Sequence, residues 1–202
     1  MGREIELKLS LAAADHGALL NAPCLAGQPV VTLHLANTYF DTPDAVLNQH
    51  RVALRVREKN GIYIQTLKTR GESVNGLSHR GEWEWQLEGP ELDGRRLESV
   101  WPEALKGVDV STLTPVFRTD FERKVIDFQW LGASIELALD KGHVVAGSRT
   151  QPISELELEL KEGDETALIS LAEELGRVIV LKPENISKAE RGYRLARGGS
   201  EG

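Results

Sequence analysis

The chain holds one cysteine, Cys24, so no internal disulfide can form and the sequence suits a reducing compartment. With no identifiable partner, Cys24 reads as a small buried hydrophobe rather than a nucleophile. No run of about 18 apolar residues is present, which excludes a membrane-spanning helix. The N-terminus enters a charged stretch at Arg3 and Glu4 with no apolar signal core, so the expected location is the cytoplasm. Positive charge is in deficit: 24 Lys and Arg against 31 Asp and Glu leave a net charge of −7. That argues against a general binder of nucleic acid or anionic membrane and leaves room for a local basic pocket. Neither an internal repeat nor a low-complexity block occurs. His16, His34, His50, His79 and His143 show no metal-ligand spacing among themselves. The glycine-rich stretch 71–81 lacks the GxxxxGK pattern, which excludes a P-loop and suggests a flexible hairpin. What remains is an ordinary globular composition, 41% hydrophobic and 27% charged over 202 residues. A single domain of that size buries roughly 70% of its unfolded surface.

The dominant spacing is two. Residues 3–9, 30–40, 52–58, 62–69, 82–87, 117–128, 133–140 and 155–161 are expected to be strands, and Val144-Val145 to start a further short one. Asn60-Gly61 and Leu131-Gly132 mark hairpins, and Asp41-Thr42-Pro43-Asp44 a turn. Helices are expected over 11–20, over 97–105 with an interruption at Pro102, over 165–175 behind the cap Asp164, and over 187–196. The order predicts an α+β domain over 1–197, an antiparallel sheet or barrel with a few helices, followed by a flexible tail at 198–202.

The polar faces of these strands are unusual. Side chains alternate faces along a strand, which places Glu4, Glu6 and Lys8 opposite Ile5, Leu7 and Leu9. Likewise Glu155, Glu157 and Glu159 oppose Leu156, Leu158 and Leu160, and Glu136 and Asp140 oppose Ile135, Leu137 and Leu139. Arg55 and Arg57 oppose Leu54 and Val56; Lys68 lies opposite Leu67; Glu82 and Glu84 lie opposite Trp83 and Trp85. A single such strand is adequately explained as one wet face of a sheet. The set is not, because nearly every polar position is ionisable and the signs are segregated by strand. Like charges along one strand require a counter-charge across a lumen or a metal between them. A closed barrel with its charged faces inward meets that need, its apolar outer faces, including Trp83 and Trp85, being covered by helices. Carboxylates of Glu4, Glu6, Glu155 and Glu157 then suit hard divalent cations, while Arg55, Arg57 and Lys68 suit an anion with several oxygens.

EIELK at 4–8, TYFDTP at 38–43, ALRVR at 53–57, TLKTRG at 66–71, IELALDKG at 135–142, ELELEL at 155–160 and SKAERGY at 187–193 together resemble the CYTH domains, or triphosphate tunnel metalloenzymes. TDFER at 119–123 and PISELELELKEGD at 152–164 are most similar to the N-terminal domain of bacterial inorganic triphosphatases. The resemblance implies a closed eight-stranded antiparallel tunnel and metal-dependent hydrolysis of tripolyphosphate to diphosphate and phosphate. It implies Glu4, Glu6, Glu155 and Glu157 as metal ligands, supplemented by Glu136 and Asp140, for two ions of Mg²⁺ or Mn²⁺. Glu82 would share in that role, and Glu159 exceeds what the family pattern needs. Arg55, Arg57, Lys68 and Arg123 would cradle the phosphates, with Arg118 the alternative to Arg123. Lys8 would orient the terminal phosphate or the attacking water, and Lys188 would close over the tunnel. Family members also include thiamine and nucleoside triphosphatases, RNA triphosphatases and class IV adenylate cyclases; the acidic balance disfavours the RNA enzymes. A non-catalytic polyphosphate-binding module would lack the full carboxylate set. The bacterial relatives continue into a helical, histidine-rich CHAD domain, so this chain is either a stand-alone enzyme or part of such a protein.

Overall fold

The structure is a computed structural model describing residues 2–69 and 71–198; the expected tail beyond Gly198 lies outside the described residues. Ten strands follow in chain order: β1 (Gly2–Ser10), β2 (Val31–Asp41), β3 (Ala53–Lys59), β4 (Ile62–Lys68), β5 (Glu72–Val74), β6 (Leu77–Leu87), β7 (Thr114–Trp130), β8 (Ala133–Ala146), β9 (Arg149–Glu162) and β10 (Lys182–Pro183). Five α-helices accompany them: α1 (His16–Leu20), α2 (Val46–Gln49), α3 (Gly94–Val100), α4 (Thr166–Leu175) and α5 (Lys188–Ala196). Eight strands pair antiparallel in the order β1-β9-β8-β7-β2-β3-β4-β6, and β6 returns to β1 with Glu4 opposite Arg80 and Glu6 opposite Ser78. The barrel is therefore closed, which removes the open edges of a sheet.

Three tight turns fix the registers. Asn60-Gly61, Asn75-Gly76 and Leu131-Gly132 each place two successive residues at positive φ, the requirement of a type I′ hairpin. The second, joining β5 to β6, is the glycine-rich hairpin expected at 71–81, although β6 starts at Leu77 rather than at Glu82. β8 and β9 also exceed expectation: the segment at Val144-Val145 is the continuation of β8, and β9 begins at Arg149. Gly142 and Pro152 obscured this, since both residues weaken an interior strand. Here a Cβ on Gly142 would lie 2.1 Å from the Asp120 carbonyl oxygen, so glycine lets β7 and β8 approach. The helix expected over 11–20 resolves into a 3-10 turn, Ala13–Asp15, and the short α1. That over 97–105 stops before Pro102, as proline demands. Asp164 accepts from the Thr166 N–H at 2.8 Å, and Ser187 caps α5 by accepting from the Glu190 N–H at 3.1 Å.

The apolar residues form three layers, two of them outside the barrel. Leu7, Leu9, Leu137, Leu139, Leu156 and Leu158 pack beneath α1 and α4. Leu54 and Leu67, with Trp83 and Trp85, pack beneath α2, α3 and the Trp101–Leu105 region. A fully buried leucine contributes on the order of 2 kcal/mol, so these outer layers carry the stability that a conventional barrel draws from its interior. The third layer is inside: Leu35, Tyr39, Phe117 and Phe121 line one end of the lumen and are capped by Tyr193 and Ala189 of α5. Tyr39 stacks on Phe117 at 4.5 Å between centroids, and Tyr193 meets Phe117 edge-on at 5.1 Å. The Tyr193 hydroxyl donates to Asp41 at 2.6 Å, and Asp41 also accepts from the N–H groups of Leu47 and Asn48 that open α2.

Gly192 of α5 faces the Phe117 ring, and a Cβ there would lie 2.0 Å from it. Gly192→Ala is therefore expected to destabilise the fold by roughly 1–3 kcal/mol, measured by chemical denaturation; a midpoint equal to that of the parent would contradict the seating of α5 in the barrel end.

Candidate active site

Register and alternation decide which side chains enter the lumen. Across β1, β9, β8 and β7 the inward rows are Ser10–Glu155–Asp140–Arg123, Lys8–Glu157–Ala138–Val125 and Glu6–Glu159–Glu136–Asp127. Across β2, β3, β4 and β6 the rows are Tyr39–Arg55–Thr66–Glu84 and Asn37–Arg57–Ile64, with Lys68 opposite Glu82. Together they enclose a cavity of about 530 Å³. One wall is rich in carboxylates and the facing wall in arginines, as the alternating pattern predicts.

The carboxylate wall is organised around α5. Lys188, at its first turn, places Nζ 2.8 Å from Asp140 Oδ2 and 2.8 Å from Glu157 Oε1, and also bonds Glu155. Arg191, one turn later, bonds the other oxygen of Glu155. Arg123 grips Asp140 through two bonds of 2.7 and 2.8 Å and reaches Glu157 at 3.1 Å. The Phe121 ring lies beneath both cations, 4.9 Å from Lys188 Nζ and 5.5 Å from the Arg123 guanidinium carbon. Burial alone would push these carboxyls up. The cations overcome it, so Asp140 is held below its ordinary range and Glu157 well below it, chiefly by Lys188 and then Arg123.

Asp140, Glu155 and Glu157 each bring one oxygen within 4.8 Å of the others. That all-oxygen donor set fits a hard divalent cation, and the ammonium they already hold competes for the same oxygens. Of the six expected ligands the structure gathers these three. Glu4 instead binds Lys68 at 3.0 and 3.1 Å, Glu6 has only Lys8 at 3.9 Å, and Glu136 lies 3.8 Å from Lys161. Within the described residues, the counter-charges that make the acidic strands tolerable are thus largely the protein's own, rather than a metal alone.

The arginine wall is different. Arg57 has one hydrogen bond, from Nε to Asn37 Oδ1 at 2.7 Å, and Arg55 has a buried Nε without a partner. Neither forms an ion pair among the described residues. Burial, then the nearby charges of Arg55 and Arg123, depress Arg57 to about 9. Tyr39 and Asp140 act in the opposite sense on Arg57, and against burial Tyr39, Glu82 and Glu4 raise Arg55, so the positive charge of this wall is partly offset. The expected phosphate-cradling residue Arg123 is in the lumen but committed to Asp140 and Glu157, while Arg118 points outward with its side chain 57% exposed.

Four lumen residues escaped the sequence reading of the site. Tyr39, buried in the lumen beside Arg55, has its hydroxyl lowered against the effect of burial, mainly by that arginine. Its signal was the alternation of β2. Arg80 lies opposite Glu4 with a buried, unpartnered Nε. Arg191 stands three residues beyond Lys188, on the same helical face. Lys161 bonds Glu159 at 3.1 Å at the far mouth.

The sequence profile described as the CYTH domain matches residues 2–193. An inorganic triphosphatase of Haemophilus influenzae is 35% identical over 200 residues, covering 96% of this chain and 55% of that protein. The chain thus spans about half the length of this curated relative. In structure the chain is similar to a proposed adenylyl cyclase of Hippeastrum described as having a dominant triphosphatase activity. That similarity has a TM-score of 0.70 at 21% identity and covers 98% of this chain and 97% of the other. A protein of Pyrococcus horikoshii, at 18% identity, gives 0.61 over 95% of this chain and 99% of that one.

Glu159 has a pH consequence of its own. Burial, and the neighbouring Glu4 and Glu136 acting against Lys161, raise its carboxyl to about 7. A raised carboxyl keeps its proton in the folded state while the unfolded chain loses it, so stability falls as pH rises from about 4.5 to about 7. Glu159→Gln is expected to stabilise the protein at pH 8 by about 2 kcal/mol and to have little effect at pH 4. Equal effects at both pH values in thermal unfolding would contradict the raised carboxyl.

Proposed function

The chain belongs to the CYTH domain family, and from that premise we propose that it hydrolyses inorganic tripolyphosphate to diphosphate and phosphate inside the barrel. The observation that carries this reading is the basic wall: Arg55 and Arg57 face the lumen without an ion pair among the described residues, and Arg55 keeps a buried Nε with no partner. A small polyanion supplies the missing charge. The name of the Haemophilus relative supports the same substrate.

Arg55 and Arg57 hold phosphate oxygens through charge-assisted bonds, and Asn37 fixes the Arg57 guanidinium. Tyr39 fills the space beside Arg55 and orients it. Lys8, in the row of Glu157, presents its ammonium group to the chain from the opposite side, and Lys68, bonded to Glu4, from the same side as the arginines. Arg123 and Lys188 hold Asp140 and Glu157 ionised and in place. Glu4, Glu6, Asp140, Glu155 and Glu157, with Glu136 at the edge, are the residues that would hold Mg²⁺ or Mn²⁺. Such an ion offsets charge on phosphate oxygens and activates water. No protein nucleophile is required, because phosphoryl transfer depends on positioning and charge stabilisation.

One observation favours an organic triphosphate as a second reading. At the mouth near Glu136 and Lys161, one side of the lumen is aliphatic, lined by Val31, Leu33, Ile64 and Val125. A nucleoside or thiamine group would find apolar contact there.

Phosphate release from tripolyphosphate, ATP and thiamine triphosphate, each with Mg²⁺, Mn²⁺ or EDTA, distinguishes the readings. Metal-dependent release is expected from tripolyphosphate above the others, with kcat/KM falling about 100-fold in Arg57→Ala and abolished in Glu6→Gln. A preference for ATP or thiamine triphosphate would select the second reading. Turnover unaffected by both substitutions would remove the lumen from the reaction.

A further inference from the structure

Thr66 carries a polar atom that nothing around it uses. The residue sits in the inward row Tyr39–Arg55–Thr66–Glu84, lines the lumen cavity and is 1% exposed. Its hydroxyl oxygen is buried and has no hydrogen-bond partner among the described residues. Buried hydroxyls ordinarily find a carbonyl, a side chain or an ordered water, because an unmade bond away from solvent is destabilising. Thr119, equally buried in the same barrel, follows that rule: its hydroxyl accepts from the Asn37 amide at 3.0 Å. Thr66 does not. Packing gives no reason for a hydroxyl here, since valine has nearly the same outline and the preceding inward position on β4, Ile64, is a branched apolar side chain that also lines the cavity.

A second observation stands beside it. The residue directly paired with Thr66 on β3 is Arg55, whose Nε is also buried and without a partner. The two atoms therefore do not bond each other, although the register sets them side by side. A guanidinium Nε can only donate, whereas a hydroxyl donates or accepts. One anionic oxygen placed before the pair accepts from both. Such bonds to an ionised acceptor are the strong ones. Other polar side chains of the same wall are already engaged: Asn37 holds Arg57 and Thr119, and Lys68 is bonded to Glu4.

We propose that Thr66 is a substrate-binding residue, its hydroxyl donating, together with Arg55 Nε, to one non-bridging phosphate oxygen of tripolyphosphate. The inference rests on the tripolyphosphate reading of the lumen. β4 is paired on both sides, with β3 and β6, so the hydroxyl is held in place before the ligand arrives. Its role differs from that of the arginines. They attract the polyanion through charge, and Thr66 fixes where one oxygen comes to rest. The unmade bond in the empty lumen is the counterpart of that role: the hydroxyl gains its partner only when the ligand is bound.

The test is isothermal titration calorimetry with tripolyphosphate in EDTA on the parent, Thr66→Val and Thr66→Ser, together with the Tm of each ligand-free protein. Thr66→Val removes an unpaired buried hydroxyl, so its Tm is expected at or above that of the parent, while its Kd for tripolyphosphate rises about tenfold. Thr66→Ser keeps the hydroxyl and should bind within about threefold of the parent. A purely structural hydroxyl would not move stability and affinity in opposite directions. If water alone satisfies it, Thr66→Val binds as the parent does, which overturns the contact and leaves the tripolyphosphate reading standing. A Thr66→Val variant that binds more weakly but melts below the parent assigns the hydroxyl to folding and overturns the inference too. A loss in Thr66→Ser equal to that in Thr66→Val has the same meaning. A parent that does not bind tripolyphosphate overturns the reading of the lumen and this inference with it.

Discussion

The structure depends on keeping charge inside a closed barrel. Asp140, Glu155 and Glu157 lie within a few ångströms of one another in a space shielded from water, where unpaired like charges could not persist. Lys188, Arg191 and Arg123 make the arrangement possible by dividing the carboxylate oxygens among them. Because the interior is given over to these groups, the apolar faces of the strands must point outward. α1 and α4 on one side, and α2 and α3 on the other, exist to cover them. α5 serves both demands at once: its first turn delivers Lys188 and Arg191, and its later residues seal the aromatic end around Phe117.

The two walls of the lumen are not equivalent. The carboxylate wall is neutralised from within, and its geometry is locked before any ligand arrives. The arginine wall holds Arg55 and Arg57 without ion pairs among the described residues, with a buried Arg55 Nε left unpartnered. A site that spends folding energy on fixed, unpaired charge is preorganised for the charge of its ligand.

The alternation of EIELK and ELELEL carried most of the fold, because charged positions segregated by strand have few explanations other than a closed lumen. The same alternation correctly sent Trp83 and Trp85 to the outside. It could not show that Lys188 would sit among the carboxylates, since that depends on how α5 enters the barrel end, a tertiary fact with no local signal. For the same reason it could not show that Arg123 is bound by Asp140 or that Glu4 is bound by Lys68. Gly142 and Pro152 hid the length of β8 and β9, because their weakness as strand residues is outweighed by pairing on both sides. Tyr39 was legible as a strand residue only, and its importance comes from Arg55 lying against it.

The strand that begins the chain closes the barrel. β1 pairs with β6, and then with β9, whose residues lie some 150 positions later. During synthesis β1 therefore waits, with at least one edge open, until nearly the whole chain has emerged. Exposed edges of that kind recruit other chains. Glu4, Glu6 and Lys8 put a charge at every second position along it, which keeps the waiting strand soluble and unattractive to its own kind. The pattern that lines the lumen of the finished molecule thus also protects the unfinished one on the ribosome.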